Sequence, residues 1–394
     1  MPKIFSPLFI SVLVSLCISV ASADETVLFL EGGSKVLKVQ SIDGDGVVTV
    51  EGQTTPLHTD ELYQIIGSAR ASTNAPLPLL VELVDGTRLP LSTFHVDREV
   101  CRLGWALDPT LEVPLDIVHA VRLKPHRQTA AYARALTIKR EDFDQLWVEV
   151  ENDLQLVKGV IERIDDEEVE FEWEGARRSF TRDQVYGVLT ADLGGIEAPE
   201  DTVWVDLADG SRLNGRIVGL EKGTLSLRYY GDRMLDLPWK TVQRVTLNAG
   251  RLVFLSDLVP ESVIQQAVVA PAYRWQRDRS VGQQEMAIGA NTYPKGIGMP
   301  SGTRLSFLAG RQYHLLNGFV GIDAETRGRG DCVLVVSADG DELYRQRVRG
   351  DEPARELKLD IRGRETITLS VEFGAQLDLA DHVDWGEIRF LKGE

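Results

Sequence analysis

Tyr293-Pro294-Lys295-Gly296-Ile297-Gly298, then Val320-Gly321-Ile322-Asp323, then Asp381-His382-Val383-Asp384-Trp385: these three stretches decide how the last third of this 394-residue chain is read. Each borders a short apolar run. Phe319-Val320-Gly321-Ile322 alternates, Cys332-Val333-Leu334-Val335-Val336 is almost continuously apolar, and Asp339-Gly340-Asp341 supplies a turn before Leu343-Tyr344. Leu357-Lys358-Leu359, Ile367-Thr368-Leu369-Ser370-Val371 and Glu387-Ile388-Arg389-Phe390 follow. Many short strands joined by Gly and Asp turns predict a jelly-roll β-sandwich.

In that order, the three landmarks resemble the NPCBM domain, the carbohydrate-binding module found beside glycoside hydrolases. The likeness begins near Phe254-Leu255-Ser256-Asp257-Leu258 and runs to the C-terminus, so residues 252–394 form one unit. It implies a galactose-binding-like sandwich and a glycan partner. A pyranose offers an apolar C–H face and a ring of hydroxyls, so its site wants an aromatic platform and a few oriented polar groups on end loops. The residues put forward by the resemblance are Asn291, Tyr293 and Lys295 on one Gly-rich loop, Asp323 with Arg327 beyond it, and Asp381 with His382 before the last strand.

Plainer roles compete for several of these positions. Trp385 and Ile297 read as core, since large aromatics dominate sandwich interiors. Gly296 and Gly298 read as turn glycines. Asp381 and Asp384 suit turn capping as well as ligand contact, and His382 also reads as an ordinary loop histidine. Sandwiches of this kind often hold a structural Ca2+ where the first and last strands meet, which the resemblance places at Asp257 and Glu387. No other cofactor is expected.

Upstream, a pattern of about 40–45 residues recurs. One copy runs over residues 200–250: Val203-Trp204-Val205-Asp206-Leu207, a turn at Ala208-Asp209-Gly210-Ser211, further strands, then Val242-Gln243-Arg244-Val245-Thr246-Leu247. The same order fills 76–124 and 145–192, and a degenerate copy fills 24–70. Period-two alternation gives each strand one buried and one wet face. Tandem small β-barrel-like repeats, Sm-like or SH3-like in outline, are therefore expected ahead of the sandwich, making the whole chain all-β. Residues 125–144, with Ala130, Ala131, Ala133 and Ala135, are the one stretch that reads as a helix. Residues 68–78 and 194–199 read as linkers.

The N-terminus reads as an export signal: Lys3, an apolar stretch over 8–20, then Ala21-Ser22-Ala23 as a cleavage site. That stretch is too short to span a bilayer, so no integral membrane segment is expected after cleavage. A periplasmic or extracellular location follows. A formal net charge of −17 argues against nucleic acid as a partner. Cys101 and Cys332 fall in different units, so two separate buried thiols are expected rather than a bridge. Neither H-E-x-x-H nor G-x-S-x-G nor a Walker sequence occurs, and residues 24–250 lack the βα alternation of a catalytic barrel. The sequence points to a non-catalytic, secreted carbohydrate-binding protein whose repeats act as scaffold or spacer. The alternatives are an envelope or extracellular component with protein partners on the repeats, and a glycoside hydrolase accessory or enzyme.

Overall fold

The computed structural model describes residues 24–69, 79–124, 130–136, 143–151, 153–191, 202–268, 273–375 and 377–393. The expected signal peptide, the linker at 194–199 and nearly all of the linker at 68–78 lie outside these. The architecture is all-β, and the expected helix amounts to six described residues, Ala130–Ala135.

In every repeat the first strand pairs on one side with the strand that follows and on the other with the last. Val203–Leu207 pairs with Arg212–Glu221 and with Val242–Thr246, and Leu79–Leu83 pairs with Arg88–Asp97 and Val118–Arg122. That closes each repeat into a small curl. The local sequence explains the chain reversals. Asp85 and Asp209 accept from the backbone N–H groups of Thr87 and Ser211, while Gly86 and Gly210 take the left-handed φ of +85° and +91° that the turn demands. A single 3-10 turn precedes each last strand: Thr59–Glu61, Leu115–Ile117, Arg182–Gln184 and Trp239–Thr241.

The curls are not independent beads. The last strand of the first repeat pairs with that of the fourth, and the last strand of the second with that of the third. Arg88–Asp97 also touches both Asp153–Ile164 and Arg212–Glu221, so one 21-stranded network of ladders runs through all four repeats over one contiguous apolar core. Polar side chains fix these junctions. Glu25 accepts from the Trp239 indole N–H at 2.8 Å and from Val39 N–H at 2.9 Å, and the Trp105 indole donates to Ser211 at 3.1 Å.

The C-terminal unit is two facing sheets. One orders Gln276–Arg277, Gly296–Pro300, His382–Leu391, Leu315–Ile322 and Arg355–Asp360, with Leu252–Phe254 also on the His382–Leu391 strand. The other orders Ser262–Gln265, Thr303–Leu308, Thr366–Phe373, Asp331–Ala338 and Asp341–Arg349. Trp385, Ile297 and Cys332 are core residues, as are Ile388 and Phe390. Cys101 and Cys332 are both buried and unbridged.

The closing strand His382–Leu391 is buried along nearly its whole length because both of its faces are covered. Val383 and Trp385 point into the sandwich. Glu387, at φ +50°, inserts a bulge that shifts the alternation, so Ile388 and Phe390 take over the inward face. The outward face meets two different neighbours. Gly386 lies under the Tyr293 ring, where an added Cβ would stand 2.5 Å from the ring carbons. Arg389 faces the first repeat: its guanidinium donates to Asn317 at 3.0 Å, Glu387 at 3.3 Å and the Phe29 carbonyl at 3.4 Å. Its guanidinium lies 5.8 Å from the centre of the Phe254 ring, and Leu30, Leu252, Phe254 and Leu391 form a small apolar cluster that sandwich and first repeat share.

Candidate functional site: the loop end of the sandwich

Three loops meet at one end of the sandwich, and Asp323 ties them together. It ends the strand Leu315–Ile322 and caps the turn Ala324–Thr326, accepting from Glu325 N–H at 2.6 Å. Its other oxygen accepts from Ala287 N–H at 2.9 Å, in the hairpin of Met286–Ile288 and Asn291–Tyr293. Its backbone N–H donates to the His382 carbonyl at 2.8 Å. With both oxygens committed and 2 % exposure, Asp323 builds the loop end and is not free to touch a ligand.

His382 is different. Its Nδ1 lies 2.6 Å from Glu325 Oε1, and the same carboxylate accepts from Gly282 N–H and the Ser280 hydroxyl, each at 2.9 Å. The Tyr273 ring meets the imidazole edge-on at a centroid distance of 4.8 Å, and Tyr273 is 47 % exposed. A half-open aromatic ring beside a polar imidazole is the pairing of apolar face and directed hydrogen bond that a sugar requires. The trio Ser280, Glu325 and His382 is not a nucleophile-base arrangement, because the hydroxyl bonds the carboxylate and not the imidazole.

Two further carboxyls sit behind the loops. Asp381 is buried and accepts from Asp331 N–H at 2.8 Å, and burial pushes its carboxyl above the usual range. Asp384 is fully enclosed, and neither of its oxygens makes a hydrogen bond of good geometry. Burial, reinforced by the neighbouring Asp323 carboxyl, pushes Asp384 far up, so it stays protonated at neutral pH.

Of the other residues expected here, Arg327 is exposed at the end of the Ala324–Thr326 turn in the left-handed region, and Asn291 is exposed on the hairpin. Tyr293 is enclosed at 5 % exposure, packed on Met286, Ile288 and Phe319, so its face is not offered to solvent. Lys295 is engaged elsewhere. Its ammonium bonds Asp257 at 2.6 Å and Asp278 at 2.8 Å and lies 5.7 Å from the centre of the Phe254 ring, the ring that also packs on Tyr63 of the first repeat. Asp257 thus answers Lys295, while Glu387 answers Arg389. Each carboxylate has a cationic side chain as its partner, and no group of three or more His, Cys, Asp or Glu side chains that could hold a metal ion occurs among the described residues.

Tyr273, Ser280 and Glu325 escaped the sequence reading. Tyr273 lies in an irregular lead-in where no periodicity marks a face, and Glu325 is one charged residue among 60 acidic ones. The usable signal was the spacing Asp323-x-Glu325, in which the first residue caps the turn and leaves the second free to reach outward.

This geometry sits inside a known domain. Residues 251–391 match the NPCBM/NEW2 domain. A Renibacterium salmoninarum protein named "Putative endo-alpha-N-acetylgalactosaminidase" is 26% identical over 136 residues, which are 32% of this chain and 9% of that protein. This chain therefore corresponds to a small part of that relative. Among solved structures, the CBM51 of Clostridium perfringens GH95, in complex with methyl-galactose, aligns at 24% identity over 35% of this chain and 99% of that one, with a TM-score of 0.33. CBM51-2 with the INT domains of C. perfringens ZmpB, in complex with GlcNAc, aligns at 21% over 43% of this chain and 36% of that one, also at 0.33. Tandem CBM51 modules of Streptococcus pneumoniae Sp3GH98 align at 12% over 93% and 88%, at 0.32. Residues 251–391 are thus an NPCBM/NEW2 domain. Among the described residues no helix is long and apolar enough to cross a membrane.

Proposed function

We propose that this chain is an exported, non-catalytic glycan-binding protein, with the sugar held at the loop end of the NPCBM domain against Tyr273 and His382. The observation that carries this reading is their pairing, a half-exposed ring on a braced imidazole, inside a domain of a carbohydrate-binding family. The four repeats act as a stiff base: they share one core, and the first of them packs against the sandwich face opposite its inward side. The aromatic ring covers the C–H face of a pyranose while the polar groups beside it select its hydroxyls.

The test is a glycan array probed with the full chain, followed by Tyr273→Ala and His382→Ala. Binding to a defined sugar class should be lost in both variants, each retaining the wild-type melting profile. Failure of the folded wild type to bind any glycan, or undiminished binding by both variants, would sink the proposal.

A further inference from the structure

We infer that Glu325 is the positioning residue of this site, fixing the His382 proton on Nδ1 so that Nε2 faces the ligand as an acceptor for a sugar hydroxyl. The inference deepens the glycan reading and rests on it for its functional meaning. Its structural part stands on hydrogen-bond chemistry alone.

An ionised carboxylate only accepts, so the 2.6 Å contact with Glu325 Oε1 puts a proton on His382 Nδ1. Two further donors converge on the same carboxylate. Gly282 N–H reaches Oε1, and Ser280, fully buried, reaches Oε2. The Ser280 hydroxyl oxygen is already taken as acceptor by Gln284 N–H at 3.1 Å, so its own proton is directed at Glu325. With donors on both of its oxygens, the carboxylate is held in one rotamer, and it fixes the imidazole in turn. Such a brace selects the tautomer, because the proton on one ring nitrogen follows from the bond that nitrogen makes. With a single ring proton on Nδ1, Nε2 can only accept. It has no partner among the described residues, and Tyr273 stands at the ring edge as apolar flank. The ligand class this selects is a saccharide with a free hydroxyl donor next to a C–H patch. A sugar methylated at that hydroxyl has no proton to give.

The tautomer can be read directly. The full chain, labelled with 15N-histidine, is examined by two-bond 1H–15N spectra at about pH 8, above the ordinary imidazole range, with His382→Gln assigning the signal. The expected pattern is that of an Nδ1-protonated ring. An Nε2-protonated ring in the wild type overturns the inference without any further variant. In Glu325→Ala, which removes the acceptor where a glutamine amide oxygen could still receive the Nδ1 proton, the His382 signal should move toward the Nε2-protonated form while the other histidines stay put; an unmoved signal also overturns it. Whichever glycan the array identifies should bind Glu325→Ala about tenfold more weakly, the loss expected for one misdirected hydrogen bond. Unchanged affinity refutes the positioning role. Should the wild type bind no glycan, the functional reading fails while the tautomer result still decides the structural one.

Discussion

Asp384→Asn is the substitution whose effect follows most directly from the structure. Asp384 is wholly enclosed next to Asp323, and burial raises its pKa far above that of an exposed carboxyl, to about 11. In the unfolded chain the same group ionises near its ordinary value of about 4. The folded state therefore holds a proton that the unfolded state releases. A raised folded value means the stabilisation is complete below about pH 4 and drains away as pH climbs toward the folded value. The slope for one proton is about 1.4 kcal/mol per pH unit, so going from about pH 5 to about pH 8 costs the sandwich about 4 kcal/mol. That is a large part of the roughly 5–15 kcal/mol that holds a domain together. Asparagine keeps the shape and the neutral charge but cannot ionise. Urea unfolding of both proteins across this range should give a wild-type stability that falls steeply with pH relative to the variant, the curves approaching or crossing toward the alkaline end. Parallel curves would falsify the reasoning, because they would mean that Asp384 is ionised in the folded state.

Arg389→Met removes the buried guanidinium that joins Asn317, Glu387 and the Phe29 carbonyl, and leaves Glu387 buried without its cation. The expected loss is about 3–5 kcal/mol, read as earlier urea unfolding together with faster proteolysis between the first repeat and the sandwich; unchanged cleavage would separate Arg389 from the docking of the two units. Cys332 and Cys101 should resist alkylation in the folded chain, since burial pushes the Cys101 thiol up to about 12 and Cys332 well above its usual value. Mass spectrometry of chain treated with iodoacetamide at about pH 8, with and without denaturant, checks this; labelling without denaturant would mean that the cores open readily.

The sequence by itself determined the class of fold and the kind of module. Period-two alternation and Asp-Gly turns such as Asp209-Gly210 and Asp339-Gly340 are local: each strand carries its own buried face, and each tight turn its own φ requirement. Trp385 and Ile297 were read as core because large aromatics dominate sandwich interiors, and both lie there, while the landmark motifs pointed to an NPCBM domain by resemblance. Alternation says which face of a strand is buried but not which strand lies beside it. Whether the repeats were separate barrels or one sheet was therefore undecidable until tertiary pairing joined the first to the fourth and the second to the third, with Gln64 bonded to Thr246 across 182 positions. The site divides along the same line. The motif brackets His382, Asp323 and Asp381, and the loop end brings them together, but Asp323 and Asp381 are buried there and bonded to the backbone. Lys295 was put forward as a sugar contact, and Asp257 and Glu387 as metal ligands, by the family resemblance; the structure pairs Lys295 with Asp257, Asp278 and the Phe254 ring, and Glu387 with Arg389, whose guanidinium reaches the first repeat. Tyr273 and Glu325 entered only with the structure. A residue's place on an irregular segment is set by what the rest of the fold packs against it, and no pattern along the chain encodes that.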